Sequence, residues 1–215
     1  MNAAQSSRGR LRPWHVAGLV AWVPHLLAVA YVTSRRPGYS HRSQFLSELG
    51  ERGGEAAAIM NFLGIAPTGI LFMLFGAGLA WHRRADRTLL AVGGLIAVHG
   101  LGRVLGALFS CDAGCRPEHP SFSQVAHGMA ALAASLALTA ALFSAAAWLI
   151  ARRQGPAVIA ATWVLGAIAV LSHALLLMHP EGGHVGLYQR VGLGALQAWV
   201  AVFAVHLAAT GPSRG

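Results

Sequence analysis

Charged residues are scarce in this sequence, and lysine is absent. Asp, Glu, Lys and Arg make up 11% of the 215 residues, whereas soluble domains carry about 25%. The charges lie in short clusters between long apolar stretches, and 55% of all residues are hydrophobic. This distribution excludes an ordinary soluble domain and is typical of a protein that crosses a membrane several times.

Acidic residues are the scarcest charges, since seven Asp and Glu accompany sixteen Arg in a chain with a formal net charge of +9. In a soluble protein this balance would suggest nucleic acid. Here the arginines flank apolar segments and form no continuous polar face, so we exclude nucleic acid as a partner. Their expected roles are to orient the helices and to meet anionic headgroups, which makes membrane lipids the predicted partners. The sequence predicts no particular oligomeric state.

Six apolar segments are each close to the ~20 residues that a helix needs to cross hydrocarbon. They are too long for barrel strands, and their many small residues suit packed membrane helices. We predict an all-α integral membrane bundle of six transmembrane helices, forming a single domain over 1–215. The first segment could instead be a cleaved signal peptide, although Pro24 and His25 interrupt it. The predicted helices are 14–33, 57–81, 88–109, 125–150, 157–179 and 191–210.

The arginines favour an orientation with both termini in the cytoplasm. A cytoplasmic N-terminus places nine arginines on that side, counting those of the two termini, and six on the other, which also holds six of the seven acids. Trp14, Trp81 and Trp148 then lie at the cytoplasmic ends of helices, where tryptophans are enriched at the membrane–water interface. We predict a multi-pass protein of the cell membrane, with the N-terminus and the C-terminus cytoplasmic.

Arg103 lies within the third apolar segment, where an ionisable group needs a partner or a purpose. His99 precedes it by one turn and shares its face. Either Arg103 extends to the outer headgroups, or it meets an acid or an anionic ligand inside the bundle. Glu48, in the first outer loop, is the candidate acid.

The first outer loop has apolar residues at helical spacing before Gly50. We predict a short amphipathic helix at the outer interface. Ser47 and Glu48 either form its solvated face or turn toward the mouth of the bundle. Asn61, near the start of the second helix, would extend a network from Glu48.

The second outer loop contains Cys111 and Cys115 on either side of Asp112. A disulfide would close a tight loop and fix Asp112 in place. Metal binding with His119 is the alternative, but two cysteines in an exported loop favour the disulfide.

Several histidines lie near the outer ends of the later helices. Ser123 and His127 share a helix face and could be nucleophilic machinery, although Ser123 more simply caps the helix. His173, His179 and His184 could bind zinc, but the first two point to different faces of their helix. No cofactor is predicted, and zinc is the alternative.

Short motifs follow one another along nearly the whole chain. Their combination resembles the membrane family called domain of unknown function 998. The resemblance implies a six-helix bundle of bacterial or archaeal type with no established activity. It also implies that Ser47, Glu48, Asn61, Asp112, His127 and Arg190 belong to one site. The motifs are Tyr39-Ser40-His41, Ser47-Glu48-Leu49-Gly50, Asn61 with Gly64, Cys111-Asp112-Ala113-Gly114-Cys115, His127, and Gly186-Leu187 with Gln189-Arg190.

Two functions follow from these residues. The first is binding of a lipid headgroup or small anionic amphiphile in a polar pocket of the outer leaflet. Its candidate ligand-binding residues are Ser47, Glu48, Asn61, Arg103, His173, Gln189 and Arg190. The alternative is a membrane-embedded lipid hydrolase or acyl transferase, with or without a metal, whose candidate catalytic residues are Asp112, His127 and His99.

Transport along His25, His99 and His173 is a third interpretation, and geometry separates the three. A polar path to the cytoplasmic face would favour transport. Three histidine nitrogens within about 2.1 Å of one point would favour a metal enzyme. An outer pocket that opens sideways to lipid, above a closed inner half, would favour lipid binding.

Overall fold

The computed structural model describes residues 11–210, and this part of the chain forms helices and turns but no strand. Six spans of 22 to 30 residues are long and apolar enough to cross a membrane, which confirms the all-α fold prediction. The first span consists of α1 (Pro13–Val20) and α2 (Val23–Ser34), and the second of a π-helical segment (Ile59–Ile65) and α3 (Ala66–His82). The other four are α4 (Arg87–Leu108), α5 (Phe122–Ala151), α6 (Pro156–Met178) and α7 (Val185–Thr210).

The six predicted segments overlap these spans, and their ends differ most at α7. That helix begins at Val185, well before the predicted start at residue 191, because its first polar residues bond to a loop. Helix α5 begins earlier than predicted because Ser121 is its N-cap, accepting a hydrogen bond from the Gln124 amide. Ser123 was expected to be the cap, but its hydroxyl donates to the Ser110 carbonyl oxygen at 2.7 Å.

The segments that connect the spans lie at the two ends of the bundle. The disulfide end comprises 35–58, 109–121 and 179–184, and a disulfide joins Cys111 to Cys115 there. The short helix of the first connection is a 3₁₀ turn, Leu46–Gly50, whose Leu46, Glu48 and Leu49 are buried. It packs among the ends of the spans and therefore does not lie on the surface as an amphipathic helix. The opposite end comprises 83–86 and 152–155.

An apolar core fills the half of the bundle nearer the opposite end. Helix α3 packs on α4, α4 on α5, and α6 on α7, while α1 packs on both α3 and α7. In the described residues, the side chains buried between these helices form one apolar cluster. Its members include Phe72, Phe75, Leu79, Ile96, Leu142, Leu149, Trp199 and Phe203.

Asp86 caps α4 at the opposite end. One carboxylate oxygen accepts from the amides of Thr88 and Leu89, and the other accepts from the Trp148 indole at 2.8 Å and from Arg152 at 3.0 Å. Burial raises the pKa of Asp86, but the indole, the capping amides and Arg152 together outweigh it, so its pKa lies below the usual value.

This cap should make stability depend on pH. At pH 7, Asp86→Ala should lower the free energy of unfolding by about 1–2 kcal/mol, because the cap and the indole bond are lost. A lowered folded pKa means that the carboxylate stabilises the fold above the unfolded pKa of about 3.9, and that this contribution disappears as pH falls through the folded pKa. Thermal unfolding followed by circular dichroism should show the difference shrinking below about pH 4. The control is Glu118→Ala, at an exposed position, and an Asp86→Ala difference unchanged down to pH 3 would contradict the assignment.

Candidate functional site

A cavity of about 600 Å³ lies between the spans in the half nearer the disulfide end. Its walls come from α2, the 3₁₀ turn, the π-helical segment and helices α4 to α7. Most of the lining is apolar, and within residues 11–210 it includes no Asp or Glu. The polar lining residues are His25, Ser47, His99, Arg103, His127, Ser135, Thr139, His173 and Gln189.

Among the described residues that line the cavity, Arg103 is the one arginine. Its side chain projects from α4, and only 8% of the residue is exposed. Nη2 donates to His25 Nδ1 at 3.0 Å, while the Nε–H is buried without a partner. A break between α1 and α2, just before Pro24, precedes His25. The cavity therefore contains a guanidinium whose one hydrogen-bond partner in the described residues is an uncharged acceptor.

Glu48 is not the partner of Arg103, so that expectation is wrong. The Glu48 carboxylate accepts from the Phe45 amide at 2.7 Å and from the Gln44 side chain at 2.8 Å. It occupies the first turn of the 3₁₀ helix, where a carboxylate bonds back to the preceding backbone. This local bond holds Glu48 in the loop.

Three of the four cavity histidines, His99, His127 and His173, bond to backbone carbonyl groups through Nδ1. His99 Nδ1 donates to Ala134 at 3.0 Å, and its Nε2 is buried without a partner. His127 Nδ1 lies within 3.0 Å of the carbonyl oxygens of Gly106 and Phe109. These bonds place the proton on Nδ1, so in the neutral rings Nε2 is the acceptor.

The segment 36–50, here called the roof, covers the disulfide end of the cavity. Arg190 Nη1 donates to the carbonyls of His41, Gln44 and Gly186, and Nη2 donates to the Tyr39 hydroxyl. The Gln189 amide oxygen accepts from the Leu46 amide at 2.6 Å. The first residues of α7 therefore clamp the roof, and Arg190 lies outside the cavity lining.

The predicted site residues separate into two groups. Asn61 donates to the Gly50 carbonyl at 2.8 Å and to the Ser110 hydroxyl at 2.9 Å. Asp112 accepts from the amide and hydroxyl of Ser121, which hold its pKa below the usual value. Asn61, Asp112, Glu48 and Arg190 thus organise loops. The other group, which lines the cavity, is Ser47, His99, Arg103, His127, His173 and Gln189.

The hydrolase interpretation needs Asp112 to orient a histidine. Instead Asp112 bonds to Ser121, and His127 bonds to two carbonyl groups. The Ser123 hydroxyl, directed at Ser110, does not bond to His127. The structure therefore does not bring these acid, base and nucleophile candidates into one hydrogen-bonded unit.

Ser135 and Thr139 line the cavity but were not singled out in the sequence. With His127 they recur along α5 at intervals of four or eight residues, which is one helix face. A polar stripe in an otherwise apolar segment is the signal that could have identified them.

The sequence matches a known protein family. The model of a family described as "Protein of unknown function (DUF998)" matches residues 14–206. This chain belongs to the DUF998 family. The resemblance inferred from the motifs is thereby confirmed, and the family description names no activity. No curated protein and no solved structure matches the chain.

The described residues of this DUF998 protein do not bring together a set of side chains that could bind zinc. Within residues 11–210, no three His, Cys, Asp or Glu side chains converge as a metal ion would require. His173 donates to Ala169 within its own helix at 2.7 Å, and His184 contacts Arg42. The expected group of His173, His179 and His184 is therefore not assembled.

Removing the clamp should destabilise this DUF998 protein. Arg190→Ala leaves three carbonyl groups and the Tyr39 hydroxyl without their donor. We expect a loss of about 2 kcal/mol in the free energy of unfolding, read as a lower midpoint in thermal unfolding. Arg87→Ala, at an exposed arginine, should change it by less than about 0.5 kcal/mol. Equal effects of the two substitutions would show that Arg190 does not hold the roof.

Proposed function

We propose that this protein binds an anionic amphiphile of the membrane, and that Arg103 holds the anionic group. The observation that carries the proposal is the buried guanidinium of Arg103 in a cavity to which the described part of the chain contributes no carboxylate. A phosphate or a carboxylate matches the planar fork of arginine, because both accept paired hydrogen bonds from it.

The charge of Arg103 supports a negatively charged ligand. A charged side chain inside a membrane costs several kcal/mol unless it is paired or reaches water. His25 offers only a ring nitrogen, which satisfies one N–H but does not neutralise the charge. An anion beside Arg103 would supply the missing charge and accept its remaining N–H bonds. A structural role alone leaves this cost uncompensated.

The shape of the bundle supports binding more than transport. The cavity volume of about 600 Å³ lies in the range of ligand sites, about 300–1,000 Å³. Between the cavity and the opposite end, the large side chains of the apolar core fill the bundle. A transported ligand would need a path through that core, whereas a bound ligand needs only the cavity.

We also propose that the disulfide end faces away from the cytoplasm, in the cell membrane. The disulfide itself supports this, because such bonds persist in oxidising compartments. The opposite end would then be cytoplasmic, the orientation that the distribution of arginines along the whole sequence favours. Reporter fusions after residues 118 and 154 should give opposite compartments, with the first outside.

Binding of dodecyl phosphate to the purified protein in maltoside micelles tests the proposal. Calorimetric titration should give saturable binding with one site. Dodecanol has the same chain without the charge, and we expect it to bind at least about tenfold more weakly, because charge-assisted bonds contribute about 1.5–3 kcal/mol each. Equal affinities for the two compounds would reject an anion site.

A further inference from the structure

The cavity is closed toward the disulfide end. Leu46 and Ser47 of the roof line it from that side, and Leu46 is held by Gln189. The Ser47 hydroxyl lies 3.4 Å from Sγ of Cys115, so the disulfide loop supports the same turn. A ligand that arrived from water at this end would first have to displace a segment bonded on two sides.

The cavity is open between α5 and α6. These helices meet near Phe143 and Trp163, whose ring centroids lie 5.7 Å apart, in the half nearer the opposite end. Toward the disulfide end, Leu132 and Leu177 line the cavity although they are 51% and 76% exposed. Leu136 and Val170 share this combination of lining and exposure. We call these four residues the side opening.

Polarity changes across the cavity from one wall to the other. The wall formed by α2 and α4 is buried and carries His25, His99 and Arg103. The side opening has only aliphatic side chains, and in a membrane it faces the acyl chains of lipid. A ligand with one anionic group and one hydrocarbon tail matches this change.

We propose that the tail of the bound amphiphile leaves the cavity through the side opening, between α5 and α6. The ligand is then an anionic lipid that enters sideways from the leaflet at the disulfide end. This inference rests on the proposed function, since Arg103 holds the head. It adds the route and the requirement for a membrane-resident chain.

Substitutions that block the side opening distinguish the binding of the tail from the binding of the head. Ala131 of α5 and Ala174 of α6 both line the cavity beside the opening. A131W and A174W should each weaken dodecyl phosphate binding at least about tenfold. Both should leave ethyl phosphate binding, which needs no chain route, within about twofold. A133W and A167W are matched controls at exposed positions of the same helices outside the lining, and should change neither affinity.

Two failures have different meanings in this experiment. If dodecyl phosphate binds through Arg103 but A131W and A174W leave its affinity unchanged, the side opening is rejected and the anion site stands. If neither phosphate binds the wild-type protein, the proposed function and the route fail together.

Photo-crosslinking tests the same route without altering the cavity. A dodecyl phosphate with a diazirine in mid-chain should label the side opening, on peptides of α5 and α6. The Arg103→Ala protein gives the background of non-specific labelling by lipid. Labelling that is Arg103-dependent but maps to α1 or α3 would overturn the route.

Discussion

Replacing Arg103 with methionine should abolish the binding of dodecyl phosphate and raise the thermal stability of the ligand-free protein. Binding should weaken roughly 100-fold or more, because at least two charge-assisted hydrogen bonds to the anion are lost. Stability should rise by about 1–4 kcal/mol, the range seen when well-packed apolar side chains replace a buried ion pair. A calorimetric titration and a thermal melt measure the two effects.

The opposite signs distinguish a binding residue from a structural one. If Arg103 served to hold α4 to α2 through His25, its loss would lower the melting temperature. The control is Arg87→Met on the same helix, at an exposed arginine, where we expect no change in affinity. A lower melting temperature with unchanged affinity for dodecyl phosphate in Arg103→Met would refute the anion site.

Replacing Gly93 with leucine should prevent α3 and α4 from packing. A methyl group added at Gly93 would lie 2.5 Å from the Gly76 carbonyl oxygen and 2.7 Å from the Ala80 nitrogen. These are backbone atoms, which cannot move aside as a flexible side chain would. We expect a loss of more than about 3 kcal/mol, the upper end for overpacking, and little folded protein after purification.

The neighbouring glycine is the matched control for this substitution. An added methyl group at Gly94 meets nothing within 4 Å, so Gly94→Leu should be tolerated. The yield of monodisperse protein in size-exclusion chromatography and the melting temperature compare the two variants. If Gly93→Leu behaves like Gly94→Leu, α3 and α4 are not in close backbone contact.

The spans could be predicted from sequence because their signal is local. About twenty apolar residues in a row define a membrane helix whatever surrounds it. The start of α7 was predicted too late because the segment was bounded by its apolar run, and the polar Gln189 and Arg190, whose partners lie in the roof, precede that run. Polar residues at a helix end do not reveal which distant carbonyl groups they serve.

The site could be predicted in part. Arg103 and His99 stood out because a charge and an imidazole share one apolar helix face. The partner of Arg103 could not be chosen from sequence, since His25 and Glu48 are both distant along the chain. Glu48 was excluded only by its local bond to the Phe45 amide. The sequence likewise does not distinguish Gly93 from Gly94, because helix rotation decides which of them faces α3.

The most direct measurement is the distance from the ligand phosphorus to the Arg103 guanidinium. Solid-state NMR in lipid bilayers, with ¹⁵N-labelled arginine and bound dodecyl phosphate, measures ³¹P–¹⁵N dipolar dephasing. We expect dephasing that corresponds to roughly 3.5–4.5 Å, a hydrogen-bonded pair. We also expect it to disappear in Arg103→Met and to persist in Arg87→Met. Dephasing of equal strength in Arg103→Met would place the phosphate elsewhere and contradict the assignment of Arg103 as its ligand.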